Sequence, residues 1–260
     1  MIQRLRIRQI IRRFVPHTLR VLAAQTRRQL RDRLSGQRSQ FAMVARPGPG
    51  SQALCVSICQ PIRQTAHYEG KLHNLQRAAK ILDGITVPPG KILSFWHLVG
   101  APSAHNGFQL GRAIRGDVLS ADIGGGLCQI SGLIYELGLR AGFAIVERHA
   151  HTQDLYTNES RFTPLGLDAT IVWGFKDLRL RNDFSQAVTL VFELTPDEIR
   201  GTVLAPQAFA PLRIVTSSVD APDGASRIAT VGRMTEHGQT CEISRDIYAV
   251  PAAWPKLRPA

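Results

Sequence analysis

Three consecutive glycines, Gly124, Gly125 and Gly126, stand immediately before a stretch with the apolar spacing of a helix. Glycine loses more backbone entropy on folding than any other residue, so a run of three indicates a position that other residues cannot occupy. The stretch 127–141 repeats apolar residues every three or four positions, which predicts a helix starting directly after the glycines. Such a turn can direct free backbone N–H groups into one concavity that binds a phosphate, a carboxylate or a developing oxyanion.

Cys128 falls in the first turn of this predicted helix. The positive end of a helix stabilises a thiolate and lowers the pKa of the thiol, which makes the cysteine a better nucleophile. The alternative is a buried cysteine that only packs at the helix start. Four cysteines are too few and too irregular for a disulfide scaffold. Cys55 and Cys59, four positions apart in an apolar segment, are expected to be small buried residues.

A thiolate nucleophile requires a base within hydrogen-bonding reach. The predicted strand 143–147 leads into Glu147, His149 and His151, which share one face if the strand continues beyond Arg148. Either histidine can then meet the thiol, and His149 is favoured because it lies nearer the ordered end of the strand. Asp154 and Asp168 are candidates for orienting the imidazole.

Two other interpretations of these residues stay open. Glu147, His149 and His151 offer one carboxylate and two imidazoles, a ligand set that suits a metal ion. Alternatively, the glycine turn and nearby arginines hold an acidic ligand without any chemistry. The residues proposed for ligand contact in that case are Gln129, Arg112, Arg115 and Arg148.

The positive charge of the chain is concentrated at its N-terminus. Residues 1–40 contain eleven arginines and one acidic residue, Asp32, which accounts for +10 of the net charge of +12. The remainder is close to neutral and no aromatic residues interleave the arginines, which argues against a nucleic-acid-binding protein. A helix predicted over 17–34 aligns Leu19, Leu22, Ala23, Leu30 and Leu34. Such a basic amphipathic helix is typical of contact with an anionic membrane surface, or else it docks on its own domain.

No secretory signal and no membrane-spanning stretch is recognised, which predicts a protein in the cytoplasm or peripheral to the inner face of the membrane. The element pattern predicts a helix over 70–83 and strands over 53–58, 91–96, 168–173 and 178–182. Strands over 187–194 and 198–205 form a predicted hairpin. The fold class is therefore α+β, with a mostly antiparallel sheet, a few helices, a glycine-rich loop leading into a central helix and an arginine-rich N-terminal helix. The predicted division is a basic segment and linker (1–50), a main domain (51–210) and a β-rich extension (211–260).

Residues 74–182 resemble a VanW domain. The resemblance lies in four ordered blocks: NLQRAAKILDGITVPPGKILSFWHLVG, IGGGLCQIS, GFAIVERHAH and DATIVWGFKDLRLRN. Some members of that family are similar to peptidoglycan L,D-transpeptidases, which use a cysteine nucleophile. The resemblance implies that Cys128 is the nucleophile and that His149 and His151 are the family's histidine pair. It implies a peptidoglycan stem peptide or precursor as substrate, and no cofactor is expected.

Overall fold

The computed structural model describes residues 15–43, 52–64, 66–115, 118–154 and 161–250, with only the backbone of 114, 115, 118 and 119. The predicted membrane contact of residues 1–14 and the side chain of Arg115 therefore lie outside the described residues. The described elements confirm the α+β class. They comprise four helices and twelve strands: α1 His17–Leu34, α2 Tyr68–Leu82, α3 Phe95–Val99, α4 Leu127–Ala141, β1 Ala53–Pro61, β2 Ile85–Val87, β3 Ile92–Ser94, β4 Leu110–Arg115, β5 Val118–Ile123, β6 Ala144–Glu147, β7 Arg179–Arg181, β8 Val188–Leu194, β9 Glu198–Ala205, β10 Ile214–Asp220, β11 Ser226–Met234 and β12 Thr240–Ala249.

The core forms where α2 and α4 pack on a four-stranded antiparallel sheet of order β1-β9-β8-β2. The predicted hairpin over 187–194 and 198–205 is confirmed as β8 and β9. Successive residues of β9 alternate between half-buried and buried positions, and Ile199, Val203 and Ala205 are among the buried ones, as expected for a strand with one face on the core. Gly201 in β9 allows α4 to approach closely, because a Cβ there would lie 2.6 Å from Leu137 Cδ1.

Smaller sheets surround this core. One has the order β3-β7-β6, and β4 pairs with β5 in a hairpin inside a stretch that the sequence predicted as loop. The predicted strand 91–96 is too long, because α3 begins at Phe95. The hydroxyl of Ser94 accepts the backbone N–H of His97 at 3.3 Å and so starts that helix.

The predicted strand over 168–173 is wrong. Ala169 and Ile171 are buried, but this segment belongs to no sheet and its backbone lies against α4, where Ala169 N is 3.7 Å from the position of a Cβ on Gly132. The backbone carbonyl of Ala169 accepts a hydrogen bond from Ser131 Oγ in α4 at 2.6 Å. An extended segment packed on a helix has the same period of burial as a strand, so the pattern cannot distinguish them.

Only one of the two cysteines in β1 is buried. Cys55 is buried as predicted, whereas Cys59 is exposed. The pairing of β1 with β9 shifts register between Leu54 and Val56, and this bulge buries both Cys55 and Val56. Residues four apart lie on one face of a regular strand, so an extra residue at the bulge turns Cys59 outward.

The helix predicted over 17–34 is confirmed as α1, but it docks through its polar face. Asp32 is its buried residue, and the carboxylate binds the guanidinium of Arg179 at 2.6 and 2.8 Å. Arg28 on the same face pairs with Glu147. Leu19, Leu22, Leu30 and Leu34 are left exposed on the opposite face. None of the described helices is both long and apolar enough to cross a bilayer.

Candidate functional site

The glycine turn before α4 is shaped by close backbone packing. Gly124 and Gly126 adopt φ angles of 81° and 99°, which favour glycine. A Cβ on Gly125 would lie 2.1 Å from the carbonyl oxygen of Gly111 in β4, so the two backbones touch where only glycine fits. The buried side chain of Asn74 fixes this contact, since its Nδ2 donates to the carbonyls of Gln109 and Gly125, each at 2.9 Å.

Fewer backbone N–H groups are available in the predicted anion nest than the three glycines suggested. The N–H groups of Gly124 and Gly125 already donate to the carbonyls of Gln109 and Asp122, at 3.0 and 2.9 Å. Within the part of the chain that the structure describes, the N–H groups of Gly126 and Cys128 have no acceptor. These two donors at the start of α4 are therefore the ones that can stabilise a developing oxyanion.

Cys128, His151 and Asp168 form a connected array. The Cys128 thiol and the His151 imidazole interact electrostatically, and the thiol donates to the carbonyl oxygen of Ile171 at 3.9 Å. His151 Nδ1 and Asp168 Oδ2 are 2.7 Å apart, and the same oxygen accepts the backbone N–H of His151 at 2.7 Å. This is a nucleophile, a base and an orienting carboxylate in the arrangement that thiol catalysis requires.

The electrostatics of the array favour a thiolate–imidazolium pair. Burial raises the pKa of the Cys128 thiol, but the hydrogen bond and charge of His151 outweigh burial, and the net pKa is lowered. Burial lowers the pKa of His151, but hydrogen bonds to Asp168 and Cys128 raise it to about 10. The carboxyl of Asp168 is likewise held well below its usual pKa by His151 and Arg148, against the effect of burial. Both shifts favour the state in which the proton resides on the imidazole and the thiol is ionised.

His149 lies away from the thiol, although the sequence favoured it as the base. Its Nε2 is 3.0 Å from Glu147 Oε1. The strand argument fails because β6 ends at Glu147, so the alternation of side chains does not continue to His151. The irregular chain beyond β6 brings His151 to Cys128 instead. Glu147 is also held by Arg28 and by the backbone N–H of Asp177, and the pKa of its carboxyl falls to about 2 despite burial, chiefly through His149 and Arg28.

The Glu147, His149 and His151 side chains do not converge as the metal interpretation requires, since His151 turns to Asp168. Among the described residues, no group of three or more His, Cys, Asp or Glu side chains has the geometry to hold a metal ion.

Of the two predicted orienting carboxylates, the structure brings Asp168 to the histidine and not Asp154. Asp154 is buried and binds the guanidinium groups of Arg161 and Arg227, at 2.7 and 3.0 Å. Gln129, a predicted ligand contact, donates from Nε2 to the carbonyl of Pro61 at 2.9 Å. Its Oε1 is buried and has no partner.

The sequence predicts that Arg148 contacts a ligand, but in the structure its guanidinium binds Asp168 and helps to hold the array in place. Its side chain is 5% exposed and its guanidinium donates to Asp168 Oδ1 at 3.2 Å and to the carbonyl of Gly166 at 2.9 Å. It also pairs with Asp246 in β12 and lies over the ring of Tyr135 at 4.9 Å. Those contacts occupy the guanidinium, which is why it is not free to meet a ligand.

Sequence reasoning missed Tyr248 of β12. The Tyr248 hydroxyl donates to Asp168 Oδ1 at 2.5 Å and accepts the backbone N–H of Gly166 at 3.2 Å. The tyrosine is 1% exposed. Nothing in the local sequence of the C-terminal strands marks this residue, because its role arises from a contact with a residue eighty positions earlier.

Comparison with known proteins places most of this array within one family. The family model described as "VanW like protein" matches residues 70–204. The vancomycin B-type resistance protein VanW of Enterococcus faecalis is 33% identical over 145 residues, which is 55% of this chain and 53% of that protein. The uncharacterized protein YoaR of Bacillus subtilis is 33% identical over 122 residues, 47% of this chain and 39% of that protein. The alignments thus span about half of these relatives or less, and no solved structure matches.

Proposed function

The chain belongs to the family of VanW-like proteins, and on that premise we propose that it catalyses cysteine-dependent acyl transfer. The observation that carries the proposal is the array in which His151 links the Cys128 thiol to Asp168. Cys128, His151 and Asp168 all fall within the matched residues 70–204. The two unoccupied N–H donors at the start of α4 add the second element that acyl transfer requires.

In the proposed reaction, the thiolate of Cys128 attacks the carbonyl carbon of an amide or ester. The carbonyl π electrons move to oxygen, and the N–H groups of Gly126 and Cys128 stabilise the oxyanion. The tetrahedral intermediate collapses as the carbon–leaving-group bond breaks, and the imidazolium of His151 protonates the departing group. An acyl thioester on Cys128 remains. An amine or water then attacks it, His151 accepts the proton, and the thiolate is released.

The substrate class follows from the relatives rather than from the geometry. A similar protein carries the name of a vancomycin B-type resistance protein, and some family members resemble peptidoglycan L,D-transpeptidases. We therefore propose a peptidoglycan stem peptide or its precursor as acyl donor. The acceptor is an amine for cross-linking or water for hydrolysis.

The test is to trap the thioester. Purified protein is mixed with p-nitrophenyl acetate, quenched in acid and digested, and the acetylated peptide is located by mass spectrometry. We expect the acetyl group on Cys128 in the wild type and on no cysteine in Cys128→Ala. Cys55→Ala and Cys241→Ala are the matched controls and should acetylate as the wild type does. Equal labelling of Cys59, Cys128 and Cys241 would show that Cys128 is not activated.

A binding module without chemistry is the second candidate, because cationic side chains lie beside the glycine turn. Lys71 packs directly against Gly126. The Cys128→Ala variant distinguishes the two functions, because it should abolish acyl transfer but leave the binding of an acidic ligand intact. A wild-type protein that never acquires an acyl group from activated esters, yet binds an acidic peptide, would favour the binding module.

A further inference from the structure

Three cationic residues, Lys71, Arg63 and Arg112, belong to segments that contact the start of α4. A Cβ on Gly126 would lie 2.6 Å from Lys71 Cγ, which places the stem of this lysine directly on the glycine turn. Arg63 lies two residues after Pro61. The carbonyl of Pro61 accepts a hydrogen bond at 2.9 Å from Nε2 of Gln129, the residue after Cys128. Arg112 follows Gly111 in β4. The backbone carbonyl oxygen of Arg112 would lie 2.8 Å from a Cβ on Gly125.

The charge of these three cations is not offset by any carboxylate that the structure describes. Across the described residues, no carboxylate pairs with Lys71, Arg63 or Arg112. Arg63 Nε and Gln129 Oε1 are buried polar atoms without a hydrogen-bond partner. Burial, and then the charges of Arg112 and Arg63, lower the pKa of Lys71 to about 8, so both arginines repel the ammonium group of Lys71. Like charges gathered in a half-buried place are unfavourable unless an anion joins them.

We propose that Lys71, Arg63 and Arg112 bind a carboxylate of the acyl substrate beside Cys128. The inference rests on the proposed acyl transfer and specifies its substrate class: a peptide with a free carboxylate close to the reacting carbonyl. With the carbonyl oxygen at the N–H groups of Gly126 and Cys128, the neighbouring part of the substrate lies against Lys71. Guanidinium and ammonium groups are the side chains that recognise carboxylates.

The test measures how fast Cys128 itself is alkylated by a charged and by a neutral reagent. Iodoacetate carries a carboxylate, whereas iodoacetamide is neutral and of the same shape. The ratio of their alkylation rates at Cys128 therefore measures the charge felt beside the thiol. The rates are measured on the full chain by mass spectrometry of the Cys128 peptide, with the exposed Cys241 as an internal reference. We expect the ratio at Cys128 to exceed that at Cys241, and Lys71→Met and Arg112→Gln each to lower it roughly fivefold or more.

Lys80→Met is the matched control, because Lys80 lies in the same helix and is exposed. It should leave the ratio unchanged. Unchanged ratios in Lys71→Met, Arg63→Gln and Arg112→Gln would overturn the carboxylate site, even where both reagents alkylate Cys128 quickly. Slow alkylation of wild-type Cys128 by both reagents is a different result and would contradict the proposed nucleophile itself. Arg112→Gln keeps the test valid if Lys71→Met fails to fold.

A second, independent observation concerns the exposed face of α1. Its four leucines recur at helical spacing and are all more than half exposed, the opposite of what a docked amphipathic helix shows. The docked face uses Arg28 and Asp32. Arg27, Arg31 and Arg33 border the leucines, are exposed, and pair with no carboxylate of the described residues. Leucines bordered by unpaired arginines are complementary to an anionic lipid surface and not to water.

We infer that this leucine face, defined by Leu19, Leu22, Leu30 and Leu34, binds an anionic lipid membrane. The full chain should sediment with vesicles of phosphatidylglycerol in phosphatidylcholine, and not with phosphatidylcholine alone. Leu22→Ser with Leu30→Ser should weaken that partition roughly tenfold or more, because both side chains would enter the lipid. Leu54→Ser is the matched control, since Leu54 is 64% exposed on β1.

Residues 1–14 stay intact in the leucine variant, so binding that persists unchanged in it would overturn the inference. Equal binding to neutral vesicles would also contradict it, because the arginines would then contribute nothing. A wild-type dimer that the leucine substitutions convert to a monomer, with no vesicle binding, would assign the face to a second copy of the chain instead.

Discussion

Asp168 is the residue on which the contacts of the site converge. Its carboxylate accepts hydrogen bonds from His151, from Tyr248 and from Arg148. Two of the donors lie in the segment that follows β6 and the third lies in β12, and together they hold the carboxylate in place. A carboxylate held in this way keeps the imidazole oriented toward the thiol and stabilises its protonated form.

Tyr248→Phe tests this positioning role. The substitution removes the donor to Asp168 and the acceptor for the Gly166 N–H, so the free energy of unfolding should fall by about 1.5–3 kcal/mol. Because Asp168 then holds His151 less firmly, alkylation of Cys128 by iodoacetamide at neutral pH should also slow. Tyr68→Phe is the control, because its hydroxyl donates to the carbonyl of Pro196 in an exposed position. Lost stability with unchanged Cys128 reactivity would make Tyr248 structural only.

The sequence predicted the individual residues of the array better than their pairing. Cys128 followed from the glycine run and the helix period, and Asp168 was among the predicted orienting residues. The sequence favoured His149, whereas the structure brings His151 to the thiol, because β6 ends at Glu147 and the alternation does not continue to His151. Tyr248 could not be predicted, because a hydrogen bond to a residue eighty positions earlier produces no periodic pattern in the sequence.

At the scale of elements, the turn that presents Cys128 is held between α2 and the β4–β5 hairpin. The buried amide of Asn74 in α2 bonds both Gln109 and Gly125. The backbone of Gly125 touches that of Gly111 in β4. The start of the helix is thus positioned by tertiary contacts. The glycine run indicated a close contact, but it did not indicate which element makes it.

Gly125→Ala should disrupt this contact. The added Cβ would meet the Gly111 carbonyl at 2.1 Å, so the backbones must separate. We expect a loss of about 1–3 kcal/mol in the free energy of unfolding, as for other overpacked sites, together with slower alkylation of Cys128. Gly132→Ala in α4 is the control, since its nearest neighbours are 3.7 Å away. A helical alanine there should be neutral or stabilising by about 0.5–1 kcal/mol. Chemical denaturation distinguishes the two, and equal stability in both variants would contradict the close contact.

The docking of α1 depends on the ion pair between Asp32 and Arg179, whose side chains are 8% and 6% exposed. Breaking a buried pair typically costs about 3–5 kcal/mol, and we expect Asp32→Asn to cost about 2–3 kcal/mol because Asp177 still pairs with Arg179. Asp220→Asn, which breaks an exposed pair with Arg227, should cost less than about 1 kcal/mol. Urea denaturation measures both. Equal costs would indicate that the helix is not held by this pair.

At the scale of the whole molecule, the family match ends at residue 204 while the site extends beyond it. The C-terminal strand β12 contributes Tyr248 and Asp246, and α1 binds Glu147 beside His149. Periodicity predicted the α+β class, the three long helices and the β8–β9 hairpin because these depend on local sequence patterns. The β4–β5 hairpin, the bulge in β1 and the attachment of the terminal elements depend on contacts between distant segments, which periodicity does not encode.

The central claim is that His151 ionises Cys128, and the pH profile of Cys128 alkylation by iodoacetamide tests it most directly. In the wild type, the pKa of the thiol is lowered, so the thiolate forms and reacts below the pH at which an ordinary cysteine does. In His151→Gln, burial still raises the pKa of the thiol but the opposing effect of His151 is lost, so the midpoint of the profile should move to a higher pH than in the wild type. His149→Gln should keep the wild-type midpoint, since His149 contacts Glu147. A midpoint that moves in His149→Gln but not in His151→Gln would contradict the assignment.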